Sequence, residues 1–337
     1  MSLLAFGIET SCDECAASVV ADGKKILSNV VASQVEAHRP YGGVVPEIAS
    51  REHLKKIVQV AEQAIADAKT PLDDIDIIGV TQGPGLIGSL LVGLSFAKAV
   101  SLARKIPLVG VDHVAAHLFA AQLEPKPPKP QFVGLVVSGG HTSIYLVNDH
   151  IDLEMLGATK DDAAGEAFDK IAKFLGLPYP GGISIELESQ KGGDPRKYAL
   201  PRPMLKSGDL NFSFSGLKTA LLNLVRGWSK KRVGKERAHL CASFQEAVVD
   251  VLVAKSFEAL EKLKIRKLVV AGGVAANARL REVLKMRANI KNVELWMPSK
   301  KLCTDNAAMV AALAYFMFKE GIVSDQAIEA YSTLYRK

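Results

Sequence analysis

One pattern constrains the fold of this chain more than any other, and it occurs twice. An apolar strand runs into a short polar or glycine-rich turn and a strand returns. Further on, a second apolar strand ends in a glycine-containing turn that opens a helix. In the first half, Leu4–Ile8 enters Glu9-Thr10-Ser11-Cys12-Asp13-Glu14 and Ala16–Ala21 returns. Ile75–Thr81 then ends in Gln82-Gly83-Pro84-Gly85 ahead of a helix over Ser89–Arg104. In the second half, Phe132–Val137 enters Ser138-Gly139-Gly140-His141-Thr142 and Ser143–Val147 returns. Lys267–Ala271 then ends in Gly272-Gly273-Val274-Ala275-Ala276-Asn277, followed by a helix. Strands alternating with helical stretches read as α/β. Between the copies lies Glu124-Pro125-Lys126-Pro127-Pro128-Lys129-Pro130, stiff because proline fixes its own backbone and biases its neighbour. At 337 residues the chain is long for one core and sufficient for two. The expectation is a pair of duplicated lobes, 1–125 plus 306–337 and 126–305. The last helix, Asp305–Lys319, would return to the first lobe, and a ligand cleft would lie between the two.

Other elements are legible from periodicity. Arg51–Ala68 reads as a helix with Leu54, Ile57, Val58 and Ala61 on its inner face. Pro107–Val111 reads as a strand that feeds Asp112-His113, with a helix from there to about Leu123. The N-terminus lacks the cationic region and small-residue cleavage site of a signal peptide. Apolar runs such as Ala307–Phe318 are short for a membrane span. The expected location is therefore cytoplasmic, with no membrane partner. Four cysteines are too few for a disulfide framework, and Cys12-Asp-Glu-Cys15 reads as two reduced thiols near a turn. A net charge of +6 permits a polyanionic partner without demonstrating one.

Several short motifs can carry chemistry. His113-Val-Ala-Ala-His117 puts two imidazoles on one helix face, the spacing of adjacent metal ligands. The competing reading is one capping and one packing histidine. The strand-to-helix position of His113 favours a ligand site. Val114 stands where a zinc protease of the H-E-x-x-H type has its glutamate, which argues against peptide hydrolysis. Ser138–Thr142 is either a tight hairpin or an anion cradle in which glycine amides face a phosphate. The Glu9–Asp13 turn would be its partner in a two-hairpin clamp. Gly272–Asn277 can let a nucleoside lie on backbone, although it is neither G-x-G-x-x-G nor a P-loop. Asp161, Asp162 and Glu166 read as acids at a helix N-terminus, and Asp169 lies deeper, where it can face a ligand hydroxyl. Asp305 reads as a cap or first-turn acid of the last helix, or as a third metal ligand, since two His and one carboxylate form a common open site. Arg226, Lys230, Lys231, Arg232, Lys235 and Arg237 form a basic cluster, either a solvated face or a contact for an RNA backbone.

Taken together, these motifs make the sequence resemble the TsaD family of tRNA threonylcarbamoyltransferases along nearly its whole length. The resemblance is carried by Gly7-Ile-Glu-Thr-Ser-Cys-Asp13, Gly43-Val-Val-Pro-Glu-Ile-Ala-Ser-Arg51, Gln82-Gly-Pro-Gly85, His113-Val-Ala-Ala-His117 and Val137-Ser-Gly-Gly-His-Thr142. It continues through Asp161–Lys170, Phe212-Ser-Phe-Ser-Gly-Leu-Lys218, Gly272-Gly-Val-Ala-Ala-Asn277 and Thr304-Asp-Asn306. It implies an actin-like, sugar-kinase and Hsp70-like fold. It implies transfer of a threonylcarbamoyl group from threonylcarbamoyl-adenylate to N6 of the adenosine beside the anticodon, in tRNAs reading codons that start with A, with AMP leaving. The implied metal ligands are His113, His117 and Asp305, holding iron, with zinc as the competitor. The implied adenylate contacts are Val136, Val137, Ser138, Gly139, Gly140, Asp169, Gly182, Glu186 and Asn277. The implied partners are tRNA, a paralogue of the same fold (TsaB), an ATPase (TsaE) and a separate enzyme that makes the adenylate.

The sequence departs from the family at three places. Ile183 replaces a proline after Gly181-Gly182, Cys15 replaces a threonine, and Val136 stands where archaeal relatives place a metal-binding tyrosine. No general base is named by the sequence, and Asp13 is the candidate to test. Two other functions compete: a zinc metalloprotease acting on glycoproteins, and a non-catalytic nucleotide-binding scaffold.

Overall fold

The computed structural model describes residues 2–332. The chain forms two compact units. The first holds the chain up to Pro128, the short segment Asp149–Asp152 and the chain from Pro298 onward. The second holds Lys129–Asn148 and Leu153–Met297. The return to the first unit at Pro298, ahead of the expected 306, places Asp305 in the same unit as His113 and His117.

The first unit is built on strands β1 (Leu4–Glu9), β2 (Glu14–Ala21), β3 (Lys25–Ser33), β4 (Ile77–Gly83) and β5 (Leu108–Asp112). Its early helices are α1 (Val35–His38), α2 (Pro46–Ala68), α3 (Ile87–Arg104) and α4 (His113–Phe119). The sheet order is β3-β2-β1-β4-β5, with β1–β2–β3 antiparallel and β1–β4–β5 parallel.

The second unit carries strands β6 (Phe132–Val137), β7 (Thr142–Val147), β8 (Leu153–Ala158), β9 (Lys267–Ala271) and β10 (Glu294–Trp296). Its helices are α5 (Ala164–Phe174), α6 (Gly181–Ser189), α7 (Ser215–Leu224), α8 (Lys230–Leu263) and α9 (Ala278–Lys291). Read from β8, its sheet order is β8-β7-β6-β9-β10, with the same antiparallel and parallel pairings as the first sheet. The duplication expected from the two strand-and-turn patterns is therefore a duplication of topology.

After β10 the chain forms α10 (Lys300–Cys303) and α11 (Ala307–Lys319), which packs on β1 and β4. Two strand glycines permit that approach. A Cβ on Gly79 would stand 2.5 Å from the Ala314 methyl, and one on Gly7 would collide with the Ala307 carbonyl and the Ala311 amide. The alanine-rich inner face of α11 and these glycines bring the helix onto the sheet at close range.

Some expectations need correction. In α2, Ile57 and Ala61 are buried, but Leu54 and Val58 are 66% and 51% exposed. The inner stripe is Ala49, His53, Ile57, Val60, Ala61 and Ala64, in which small residues and a histidine replace the expected leucine. The outer apolar residues of α2 are matched on α3 by exposed Ile87 and Leu91. Helix α3 is also long and apolar enough by composition to cross a membrane, which the sequence reading overlooked. Its Leu90, Gly93, Leu94, Ala97 and Ser101 are instead buried in this unit. The helix expected to reach Leu123 tightens into a 3-10 turn at Ala120–Leu123. Strands β3 and β8 escape a reading by periodicity because both are interrupted by polar residues and lie at or near a sheet edge.

Candidate functional site

The metal-binding candidates are assembled inside the first unit. Strand β5 ends at Asp112, whose Oδ1 accepts a hydrogen bond from Ala115 N (2.8 Å) and so caps α4. His113 is the first residue of that helix and His117 lies one turn on, so the rings share a face with centroids 4.8 Å apart. Both are buried, at 3% and 0% exposure. The last helix brings the third group. Asn306, not Asp305, caps α11 by accepting from Met309 N (3.2 Å), which frees the Asp305 carboxylate to face the imidazoles. Asp305 Oδ1 lies 3.2 Å from His117 Nε2 and 3.7 Å from His113 Nε2.

These residues fit a metal ion. The donor atoms of His113, His117 and Asp305 all lie within 4.8 Å of one another. Two donors held about 2.1 Å from a tetrahedral ion stand about 3.4 Å apart, which the 3.2 and 3.7 Å separations bracket. Both ring nitrogens of His117 are buried without a hydrogen-bond partner among the described residues. A buried imidazole with no partner is costly, and a cation on its lone pair removes that cost.

Glu9 is the residue that sequence reasoning missed. It was read as part of an anion-binding turn, but its side chain is fully buried and turned inward. Its Oε2 lies 2.9 Å from His113 Nδ1 and accepts from Thr81 Oγ1 (2.6 Å), while Oε1 accepts from Ser11 N (2.5 Å). Ser11 Oγ also lies 3.1 Å from His113 Nδ1. With Nδ1–H directed at Glu9, the neutral form of His113 carries its lone pair on Nε2, toward Asp305. Burial alone would push the His113 pKa down, but the Glu9 and Asp305 carboxylates hold it up at about 9. Burial likewise opposes charge on Glu9, and attraction to His113 outweighs it, so the Glu9 pKa is lowered. The first hairpin thus turns its carboxylate onto the imidazole of His113. The only sequence signal for this role was a carboxylate at the end of an otherwise apolar strand. Cys12 and Cys15 are free thiols whose pKa values burial pushes up, Cys15 to about 12.

The nine expected adenylate residues all lie in the second unit. Val136 and Val137 are wholly buried within β6 and present no side chain to a ligand. Ser138 closes the turn beyond them: its N donates to His141 O (2.7 Å) and its Oγ accepts from His141 N (3.1 Å). Gly139 and Gly140 are exposed, and their amides have no protein acceptor among the described residues. The start of α5 holds this turn in place, with Gly165 N donating to Ser138 O (3.2 Å) and Glu166 N to Gly139 O (3.1 Å). A Cβ on Gly165 would lie 2.6 Å from Ser138 O, so only glycine fits there.

Asp169 Oδ1 accepts from Gly181 N (2.6 Å) and so anchors the start of α6, which carries Gly182 and Glu186. Glu186 Oε2 accepts from Asn277 Nδ2 (3.0 Å) and from Ala278 N (3.2 Å) at the start of α9. Asn277 itself is occupied. Its other amide hydrogen goes to Gln245 Oε1 (2.8 Å), and its Oδ1 caps α9 at Leu280 N (3.0 Å). Its amide thus bridges Glu186 and Gln245. The structure brings Asp169, Gly182, Glu186 and Asn277 into one hydrogen-bonded chain of elements, and α6 forms with Ile183 61% exposed in its first turn.

Two charged groups differ from expectation. Asp161 does not serve the helix that follows it. It caps α7 instead, accepting from Phe214 N (2.8 Å), Ser213 Oγ (2.5 Å) and Ser215 Oγ (2.6 Å). Asp162 and Glu166 both pair with Lys170 at 2.7 Å. In the basic cluster, Arg232 stacks on Trp228 at 3.9 Å and Arg237 pairs with Glu188. Lys230, Lys231 and Arg232 form the first turn of α8, where positive charge opposes the helix dipole.

Comparison with known proteins agrees with this geometry. The TsaD profile, described as tRNA N6-adenosine threonylcarbamoyltransferase, matches residues 25–312. A protein of that name from Thermosipho africanus is 50% identical over 332 residues, covering 98% of this chain and 99% of its own. Another from Pelobacter propionicus is 53% identical over 331 residues, covering 98% and 97%. In fold, the chain is similar to HypF of T. kodakarensis, with TM-score 0.65 and 15% identity over 95% of this chain and 48% of that one. It is also similar to component A of (R)-2-hydroxyglutaryl-CoA dehydratase from Acidaminococcus fermentans, with TM-score 0.55 and 14% identity over 93% and 98% of the chains. These likenesses are of fold, and they agree with the two α/β sheets of like topology. On the extent and identity of these matches, the chain belongs to the TsaD family, the tRNA N6-adenosine threonylcarbamoyltransferases.

Proposed function

We propose that this chain transfers the threonylcarbamoyl group of threonylcarbamoyl-adenylate to N6 of the adenosine beside the anticodon of tRNAs reading codons that start with A. The observation that carries the reading is the buried donor set of His113, His117 and Asp305, with the His117 nitrogens unpartnered, in a chain of this family. The adenylate is a mixed anhydride and is already activated, so the reaction needs no protein nucleophile. The exocyclic amine forms a bond to the carbamoyl carbon, the bond from that carbon to the phosphate oxygen breaks, and AMP leaves with the electron pair while N6 gives up a proton. Orientation of the amine against that carbon is the chief work left to the protein.

The residues divide the work as follows. The exposed amides of Gly139 and Gly140 bind the phosphate. Glu186, held by Asn277 and by the start of α9, accepts hydrogen bonds from the ribose hydroxyls. His113, His117 and Asp305 hold a divalent ion, iron by the family resemblance with zinc as the competitor. When bound there, the ion supplies Lewis-acid polarisation of a carbonyl or phosphoryl oxygen. Val114 is wholly buried, so no carboxylate stands where a zinc protease needs its base.

The direct test is reconstitution with tRNA, threonine, bicarbonate and ATP, together with the paralogous subunit, the ATPase and the adenylate-forming enzyme proposed as partners. Mass spectrometry should find threonylcarbamoyl-adenosine in the tRNA. Nucleotide binding with unmodified tRNA would establish a scaffold instead. Cleavage of a glycoprotein that is lost in His113→Ala would restore the protease.

The basic start of α8 is the proposed contact for the tRNA backbone. Each phosphate contact contributes about −0.7 to −0.9 to the slope of log affinity against log salt. Replacing Lys230, Lys231 and Arg232 with glutamine should therefore weaken tRNA binding and reduce that slope by about 2. An unchanged slope in filter binding would remove this surface from the tRNA site.

A further inference from the structure

The segment that follows α11 returns along the edge strand β5 and ends at the helix carrying the metal candidates. Ser324 N donates to Leu108 O (2.8 Å), and Gly110 N donates to Ser324 Oγ (3.0 Å). Gln326 Nε2 donates to Ser101 Oγ (3.1 Å). Gln82 grips the segment twice: its Nε2 donates to Glu329 O (2.7 Å), and its O accepts from Tyr331 N (3.2 Å). The body of the unit is shaped to receive this strap. A Cβ on Gly110 would collide with Ile328, and one on Gly83 would collide with the Tyr331 carbonyl. Gly83 lies in the glycine-containing turn after β4, and here its bare backbone is covered by the strap.

The strap reaches one group of consequence. Tyr331 Oη donates to Asp112 Oδ2 (2.6 Å). Asp112 Oδ1 is the N-cap of α4, and the next residue is His113. One carboxylate thus joins the strap to the first turn of the helix that carries both histidines. A cap fixes the direction in which a helix starts, and outer partners that hold ligands in orientation tune a metal site.

We propose that Tyr331 is a positioning residue for the metal centre, acting through Asp112. Its hydroxyl fixes the Asp112 carboxylate, the carboxylate fixes the start of α4, and α4 fixes the angle between His113, His117 and Asp305. Asp112 is only partly buried, so water replaces the hydroxyl in Tyr331→Phe and the fold is kept. Water does not hold the carboxylate in one orientation. The proposal rests on the reading of the His113, His117 and Asp305 group as a metal site.

The test uses cobalt(II) alone as a probe, read by its visible spectrum, and amide exchange of Ala115 in the metal-free protein. Tyr331→Phe should weaken cobalt binding about tenfold, the lower end of the range for loss of an outer partner. It should also shift the cobalt bands and speed exchange at Ala115, while leaving the thermal midpoint of the metal-free protein nearly unchanged. In the reconstituted reaction kcat should fall and KM for tRNA should hold. Asp112→Asn keeps the cap oxygen and can donate its amide to the Tyr331 oxygen, so it should bind cobalt nearly as well as the unaltered chain, and Asp112→Ala should not. Unaltered cobalt affinity with unaltered Ala115 exchange in Tyr331→Phe would overturn the proposal, as would Asp112→Asn behaving like Asp112→Ala. An unaltered chain that binds no cobalt would instead remove the metal reading, and Ala115 exchange would still decide whether the strap holds α4.

Discussion

Replacing Asp305 with alanine should lower metal affinity and slow transfer severely while the protein stays folded. Asp305 is the one carboxylate facing both imidazoles, at 3.2 and 3.7 Å. Losing a ligand should exceed the 10–100-fold fall in metal affinity that follows loss of an outer partner. If the ion supplies about 3–4 kcal/mol of stabilisation to the transition state, kcat falls by roughly 10²–10³-fold. The fold survives because Asn306, the cap of α11, is untouched. Elemental analysis beside circular dichroism checks the outcome. Asp305→Ala protein that retains a full complement of metal would show that the carboxylate is not a ligand. His117→Ala should behave in the same way, since His117 Nε2 lies 3.2 Å from Asp305 Oδ1 and its ring nitrogens have no hydrogen-bond partner among the described residues.

The second large effect is expected at Glu9. In Glu9→Gln the amide oxygen can still accept from Ser11 N, and the NH2 group then takes the place of Oε2, facing both Thr81 Oγ1 and His113 Nδ1. That nitrogen becomes the acceptor, the proton moves to Nε2, and the lone pair directed at Asp305 is lost. Metal affinity should fall about 10–100-fold, with kcat falling and KM for tRNA unchanged. The imidazole signals of His113 in the metal-free protein, read above its pKa of about 9 where the ring is neutral, report the tautomer directly. A Glu9→Gln variant with unaltered metal affinity would show that Glu9 is a structural carboxylate and nothing more.

Much of this was legible in one sequence. The duplicated architecture was read from two apolar strands that enter polar turns, because a buried strand has to be apolar and a turn at a sheet edge has to be small or polar. The His113 and His117 pair was legible because a spacing of four is a statement about one helix face. Failures came where a residue's role depends on a partner far along the chain. Leu54 and Val58 satisfy helical periodicity as well as the residues that are buried, and only the packed sheet shows which stripe faces inward. Asp161 sits just ahead of one helix and caps another, because the loop at Ser213–Ser215 folds back onto it.

By itself, then, the sequence determined the α/β class, the doubling, the histidine pair and the family, all of which rest on local order along the chain. Only the tertiary structure decided what surrounds the pair. Of the two readings the sequence left for Asp305, cap or ligand, the structure gives the cap to Asn306 and turns Asp305 toward the imidazoles. Glu9 became the partner of His113 across a separation of 104 residues, and Tyr331 reached Asp112 across 219. The physical reason is that burial, not sequence distance, sets the cost of an unpaired polar group. A carboxylate inside a core must find its donor wherever the fold brings one, and no local pattern names that donor in advance.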